Sequence, residues 1–230
     1  MKKSFWKDNL PLLVGMAVTA AAVTAAGILF HQSFFRILPL YVSLIVALLQ
    51  SRMIRYASLL GGINSILYAL VYAGYRLYGS AAYALLVSCP IQLVTFVLWS
   101  RKPWGQSTVF RRMPAKGRIL TAGGFLLALL LTQLILRLTG GEHVFLDSLV
   151  TLLGILTAFL TMLSYREYTV LMVAGGILSA ALYLTMLPEH PEQTTYLVFG
   201  IYSLICSVTA LFRIRKLCRE QEAMAGKPVA

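Results

Sequence analysis

Residues 52–65 read RMIRYASLLGGINS, and 114 positions later residues 166–179 read REYTVLMVAGGILS. In this register, without a gap, the chain aligns Arg52 with Arg166, Gly61-Gly62-Ile63 with Gly175-Gly176-Ile177, Ser65 with Ser179, and Arg101-Lys102 with Arg215-Lys216. Apolar identities arise easily by chance in a hydrophobic sequence, but paired glycines and basic pairs in one register do not. The pattern predicts an internal repeat.

The composition around this repeat is that of an integral membrane protein. Of the 230 residues, 59% are hydrophobic and 12% are charged, and the mean hydropathy is +0.78. A soluble domain of this length needs roughly a quarter of its residues charged to cover its surface. Soluble enzymes and soluble DNA-binding proteins are therefore excluded.

Eight apolar runs are long enough to cross a bilayer or nearly so. They cover approximately 10–30, 37–50, 57–75, 80–99, 119–136, 145–163, 168–187 and 194–212. Only helices and closed barrels satisfy every backbone group in lipid, and these runs lack the alternation of barrel strands. The sequence predicts an all-α, polytopic protein with eight transmembrane helices.

The basic residues indicate the orientation of these helices. Of the 20 Lys and Arg residues, 17 fall on one side of the predicted spans, and only Arg36, Arg76 and Arg137 fall on the other. By the positive-inside rule, the side with the 17 basic residues faces the cytoplasm. The protein is therefore expected in the cell membrane with both termini on the cytoplasmic side. The net charge of +12 is therefore assigned to topology and to contact with anionic membrane lipids, and a nucleic-acid partner is not expected.

The repeat gives the order of the parts. We expect a tail and an extra first helix in 1–36, a three-helix unit in 37–102, a basic loop and linker helix in 103–144, a second three-helix unit in 145–216, and a tail in 217–230. A single linker helix between two odd-numbered units makes the units parallel. Parallel repeats of this 3+1+3 kind are the architecture of SWEET-type transporters, whose substrate site lies near the bilayer midplane.

Polar stripes on the predicted helices supply candidate substrate-binding residues. Unpaired amides and hydroxyls are costly in hydrocarbon, so these side chains are expected to face other helices or a cavity. Close helix packing alone also explains many serines, threonines and glycines. The candidates are Asn64, Tyr68, Ser88, Gln92, Asp147, Thr151 and Tyr202.

The candidate Asp147 and the proline Pro90 in the fourth span each have an equally good structural explanation. Asp147 stands where a helix N-cap is expected. Pro90 removes one backbone hydrogen bond in mid-span, so it predicts a kink that serves either as a gating point or only as a bend.

The remaining reactive residues suggest no cofactor or metal. Cys89 and Cys206 lie within spans and Cys218 in the tail, which gives no disulfide framework or metal spacing. His31, His143 and His190 fall near the outer surface, where solvated interfacial positions are expected. The Lys-rich start also resembles a signal peptide, but the apolar run to Phe30 favours a retained helix.

The chain resembles the PnuC-type vitamin transporters, whose namesakes carry nicotinamide riboside. The resemblance covers roughly 37–216 and rests on the helix plan, on Gly62-Ile63-Asn64 and on Leu77-Tyr78. The family's Trp-Asn-Trp-Pro signature is absent, its place taken by Arg55-Tyr56-Ala57-Ser58, and Gly79-Ser80 replaces the usual Ala-Asp. These departures concern the solute more than the fold.

The resemblance implies a homotrimeric uniporter that works by facilitated diffusion, with a separate kinase trapping the vitamin. The two predicted three-helix units add the expectation of alternating access between them. The sequence agrees, since it contains no phosphate-cradling loop and no charged span centre. Nicotinamide riboside is the expected solute. Thiamine, riboflavin, a deoxynucleoside or a sugar are alternatives, and so is a scaffold that transports nothing. An enzyme is not expected.

Overall fold

A computed structural model describes residues 2–74, 78–138 and 144–225. Arg76, Leu77 and His143, which the sequence analysis singled out, lie outside the described residues. Eight of the described helices or helical runs are long and apolar enough to cross a membrane, which confirms the predicted number.

The described ranges contain nine α-helices. They are α1 (Lys2–Leu29), α2 (Phe34–Ser51), α3 (Tyr56–Gly74), α4 (Tyr78–Tyr83), α5 (Cys89–Arg101), α6 (Ala115–Leu138), α7 (Val144–Met162), α8 (Tyr168–Met186) and α9 (Thr194–Ala225). A π-helical turn, Ala84–Ser88, joins α4 to α5, so that these three elements form one span. A 3-10 turn, Pro191–Gln193, precedes α9. A short hairpin of β1 (Pro103–Trp104) and β2 (Ser107–Thr108) follows α5.

The helices that the repeat predicts to form two units pack in a reciprocal way. Within the first unit α2 packs on α3 and α3 packs on α5, and within the second α7 packs on α8 and α8 packs on α9. The units meet where α2 contacts α9 and where α5 contacts α7. Each unit therefore contributes its first helix to one contact and its last helix to the other.

The turns that follow the first helix of each unit are built alike. Met53 and Ser164 both have left-handed backbone conformations, with φ of 56° and 58°. The next residues close equivalent hydrogen bonds, from Ile54 N to Leu49 O at 3.1 Å and from Tyr165 N to Leu160 O at 2.9 Å. These turns are 111 residues apart, whereas the sequence match is 114 apart. A difference of three residues is close to one full helical turn. It therefore moves the ends of the helices while leaving nearly the same helix faces buried.

Helices outside the two units differ in how much of their surface is covered. α1 packs on both α2 and α9 and covers the contact between them. α6 packs on α7, and its apolar span of 21 residues contains no buried residue.

One end of the bundle is rich in arginine. We call the end where α5 and α9 end the basic end, because Arg101, Arg111, Arg213 and Arg215 lie there.

The paired glycines bring helices close together. A Cβ added at Gly62 would lie 2.9 Å from Leu93 Cδ2 and 3.7 Å from the backbone oxygen of Cys89, so α3 and α5 are in close contact there. In the second unit a Cβ added at Gly176 would lie 3.1 Å from Leu204 Cδ1. The repeated glycine pair thus marks the same kind of helix contact in both units.

Gly62→Val is expected to destabilise the protein, because a branched side chain must displace Leu93 and then meets the α5 backbone. Overpacking of this kind costs about 1–3 kcal/mol. Gly123→Val is the matched control, since nothing lies within 4 Å of a Cβ added at Gly123. Thermal unfolding in detergent, followed by circular dichroism, measures the difference. Equal melting temperatures for the two variants would contradict the close α3–α5 contact.

Candidate functional site

A cavity of about 190 Å³ lies between the two units, in the half of the bundle nearer the basic end. The first unit supplies the end of α2, the start of α3 and one face of α5, and the second supplies α7 and the start of α8. Its polar and aromatic lining includes Gln50, Ser58, Gln92, Thr95, Trp99, Thr157, Thr161 and Tyr168. The cavity is therefore a space between the units.

Gln92, a substrate-binding residue predicted from the sequence, lines this cavity. Its amide lies against Gly61, where an added Cβ would be 3.1 Å from Gln92 Cδ. Within the described part of the chain no hydrogen bond to this amide is present. By contrast, Thr95 and Thr157 donate to the carbonyl oxygens four residues earlier, at 2.7 Å each. The donors and acceptors of the Gln92 amide are thus not used by another described residue.

Four side chains close the cavity toward the basic end. This inner layer consists of Met53, Trp99, Phe110 and Tyr168, all at most 8% exposed. Trp99 Nε1 donates to Thr161 O at 2.9 Å, and Tyr168 OH lies 2.8 Å from Met53 Sδ. The Trp99 and Phe110 rings meet edge to face, with centroids 5.4 Å apart. Both units therefore contribute to the closure.

The chain after α5 holds the inner layer in place. The buried Gln221 amide of α9 accepts from Phe110 N at 3.1 Å and donates to Thr108 O at 2.9 Å. Arg111 exchanges backbone hydrogen bonds with Ser164 and Arg166, each at 3.0 Å. The basic loop is thus folded against the bundle.

On the other side of the midplane, four tyrosines from both units lie together. In this tyrosine group, Tyr68 and Tyr72 of α3 stack with centroids 5.8 Å apart, and Tyr183 of α8 stacks with Tyr196 of α9 at 6.0 Å. Tyr68 interacts electrostatically with Tyr183 and Tyr196, so the two pairs are close to each other. The group thus combines two stacked aromatic pairs, one from each unit.

The tyrosine group was only partly predicted from the sequence. Tyr68 was a candidate, whereas Tyr183 and Tyr196 were not. Both flank the turn between α8 and α9, where tyrosines are also typical of the membrane interface. The available signal in the sequence was that Tyr183 and Tyr196 lie at the same depth in their predicted spans as Tyr72 does in its own.

Asn64 lies in different surroundings from Gln92. It is 5% exposed, and its Nδ2 donates to Ser43 Oγ of α2 at 2.8 Å. Ser43 Oγ is 3.4 Å from Tyr68 OH. Asn64 Oδ1 is buried without a hydrogen-bond partner in the described chain. Asn64 therefore belongs to the α2–α3 contact and reaches the tyrosine group through Ser43.

The other predicted hydroxyl and carboxyl groups are dispersed. Ser88 pairs with Ser65, Oγ to Oγ at 2.9 Å, where the π-helical turn meets α3. Asp147 is exposed in the first turn of α7 and interacts electrostatically with Tyr183. Thr151 is exposed one turn further along α7. Asp147 is thus near the tyrosine group, whereas Ser88 serves a helix contact.

The backbone is irregular beside Pro90. The π-helical turn Ala84–Ser88 ends two residues before Pro90, and Cys89 N donates to Ala84 O, five residues back. Since Pro90 has no N–H, the regular ladder is interrupted here, and the wider turn accommodates the interruption. The sequence predicted a kink at Pro90, and the feature described there is this π-helical turn.

Tyr202 packs away from the cavity. It is 2% exposed, its ring lies against Gly15 of α1, and its hydroxyl donates to Leu12 O at 3.4 Å. The sequence placed Tyr202 on the same helix face as other polar residues, but that face of α9 is covered by α1 and α2.

These features are those of a polytopic helical membrane protein with a partly polar cavity lined by α2, α3, α5, α7 and α8. The chain belongs to the nicotinamide mononucleotide transporter family, whose model matches residues 33–216. Membership of a transporter family agrees with the expectation that the chain is not an enzyme.

The fold is similar to that of a solved structure described as the crystal structure of the vitamin B3 transporter PnuC. The TM-score is 0.73 at 20% sequence identity, and the match covers 94% of this chain and 98% of that chain. At this identity the similarity concerns the fold. No curated protein matches the sequence.

Tyr202→Ala is expected to lower stability because it leaves a void between α1 and α9. Large-to-small changes at buried aromatic positions cost about 3–5 kcal/mol. Tyr202→Phe should preserve both stability and uptake, since the hydroxyl contact is long. Thermal unfolding and solute uptake measure the two effects. Loss of uptake in a stable Tyr202→Phe protein would contradict the packing role.

Proposed function

We propose that this protein carries nicotinamide riboside across the cell membrane by facilitated diffusion, along a passage between its two units. The passage runs from the tyrosine group to the cavity lined by Gln92, and the inner layer closes it. The observation that carries this proposal is a cavity lined from both units, in which the Gln92 amide has no hydrogen bond within the described part of the chain.

The lining favours a riboside over a phosphorylated nucleotide. A phosphate ester is usually bound by Arg or Lys, whose N–H groups match its oxygens. The described residues that line the cavity include no Arg or Lys, and neither does the tyrosine group. A solute with a cationic ring and an uncharged sugar fits the tyrosine faces, the nearby Asp147 and the Gln92 amide.

The reciprocal packing supports alternating access between parallel, SWEET-like units. The contacts of α2 with α9 and of α5 with α7 are those that a two-fold relation between the units would pair. Rocking of one unit against the other would separate Trp99 of α5 from Thr161 of α7 and so open the inner layer. The π-helical turn beside Pro90 is a suitable bending point for α5 in this motion.

The charge distribution supports an uncoupled carrier. The basic end faces the cytoplasm by the positive-inside rule, which places both termini there. Ionisable pairs that mark ion coupling are missing from the cavity lining that the structure describes. Net uptake then depends on the concentration gradient and on trapping by a separate kinase.

Proteoliposomes that contain only this protein are expected to take up labelled nicotinamide riboside faster than empty vesicles. Gln92→Leu should reduce this uptake at least about fivefold, because loss of a hydrogen bond in a buried site costs about 1–3 kcal/mol. Gln133→Leu on the peripheral α6 makes the same chemical change outside the passage and should leave uptake unchanged.

The same assay separates the alternatives. Equal uptake by empty and protein-containing vesicles would overturn nicotinamide riboside as the solute, and a panel of thiamine, riboflavin, deoxynucleosides and sugars then tests the others. A scaffold should tolerate Gln92→Leu without any change in uptake and with no loss of stability.

Tyr183→Ala is expected to raise the KM for a cationic aromatic solute about two- to thirtyfold, as loss of a cation–π contact of about 0.5–2 kcal/mol implies. Tyr83→Ala, at an exposed position on α4, is the matched control. Initial uptake rates at several solute concentrations provide KM. An equal effect of both variants would argue against binding by the tyrosine group.

A further inference from the structure

A second cavity, of about 670 Å³, lies at the basic end between the start of α8 and the last turns of α9. Its lining shares no residue with that of the cavity between the units. We call it the arginine groove, after Arg112, Arg118, Arg166, Arg215 and Arg219, which line it together with Glu167 and Glu222.

The two carboxylates of the arginine groove are already engaged. Glu167 binds Arg118 at 2.6 Å, and Glu222 lies 3.8 Å from Arg166. The other three arginines, Arg112, Arg215 and Arg219, have no ion pair within the described part of the chain. Five positive and two negative charges leave an excess of three positive charges in one groove, which attracts an anion.

The walls of the groove change from apolar to basic in one direction. On α9, Leu211, Arg215 and Arg219 follow each other at intervals of four residues, so they lie on one helix face, about 6 Å apart along the axis. On α8, Val170 lies four residues after Arg166 and is 53% exposed. The apolar parts, with Leu171, are within the predicted spans, and the arginines lie just beyond them.

We propose that the arginine groove binds an acidic phospholipid. Its phosphate would contact Arg215, Arg219 and Arg112, and an acyl chain would lie along Val170, Leu171 and Leu211. A soluble phosphate matches only the basic half of the groove, whereas a glycerophospholipid matches both halves at the depth where headgroups meet acyl chains. The groove thus selects a lipid by charge and by depth.

Native mass spectrometry of the full-length protein tests this proposal, with dioleoyl phosphatidylglycerol as the acidic probe and dioleoyl phosphatidylcholine as the neutral one. The wild type is expected to retain the acidic lipid preferentially. Arg215→Gln/Arg219→Gln should weaken that retention at least tenfold. Arg101→Gln/Lys102→Gln removes the same charge at the position that the repeat register aligns with Arg215-Lys216, outside the groove, and should have little effect.

Each other outcome overturns the proposal. Unchanged lipid retention by the groove variant excludes the site, and an equal loss in both double variants indicates diffuse attraction to the basic end. Displacement of the lipid by glycerol 3-phosphate indicates an anion site without an acyl-chain contact. Should the double variant not fold, Arg219→Gln at an exposed position is measured instead, and a loss of at least threefold is expected.

Discussion

The absence of water from the hydrocarbon core is the constraint on which this structure depends. Polar side chains within the spans must find partners in the protein, and most find them on their own helix. Ser65, Thr95, Thr157 and Thr209 all donate to the carbonyl oxygen four residues earlier. Groups without such a local partner, above all the Gln92 amide, therefore indicate where a solute is expected.

Much of the fold follows from this constraint at the level of sequence. Long apolar runs predicted the eight membrane-length helices, because no other element satisfies its backbone in lipid along such runs. The ends of the helices were less predictable. α1 begins at Lys2 and α9 continues to Ala225, since helices extend into water where hydropathy no longer marks them. The sequence also did not predict that the equivalent turns differ by three residues from the spacing of the glycine match.

The candidate site could be predicted only in part, because a polar stripe on a helix does not show which other helix packs against it. Gln92 lines the cavity as expected, but Asn64 faces Ser43 of α2. Tyr202 faces α1, a helix outside the two units, whose position the repeat does not specify. Conversely, Tyr183 and Tyr196 come together through the turn between α8 and α9. The polar stripe of each single helix does not predict such a contact between two helices.

A structure determined with nicotinamide riboside bound is the most direct test of the passage between the units. The account predicts ligand density enclosed by both units, within contact of Gln92 or of the Tyr183 and Tyr196 rings. Ligand density on the lipid-facing surface of a single unit, or against α1 beside Tyr202, would contradict it.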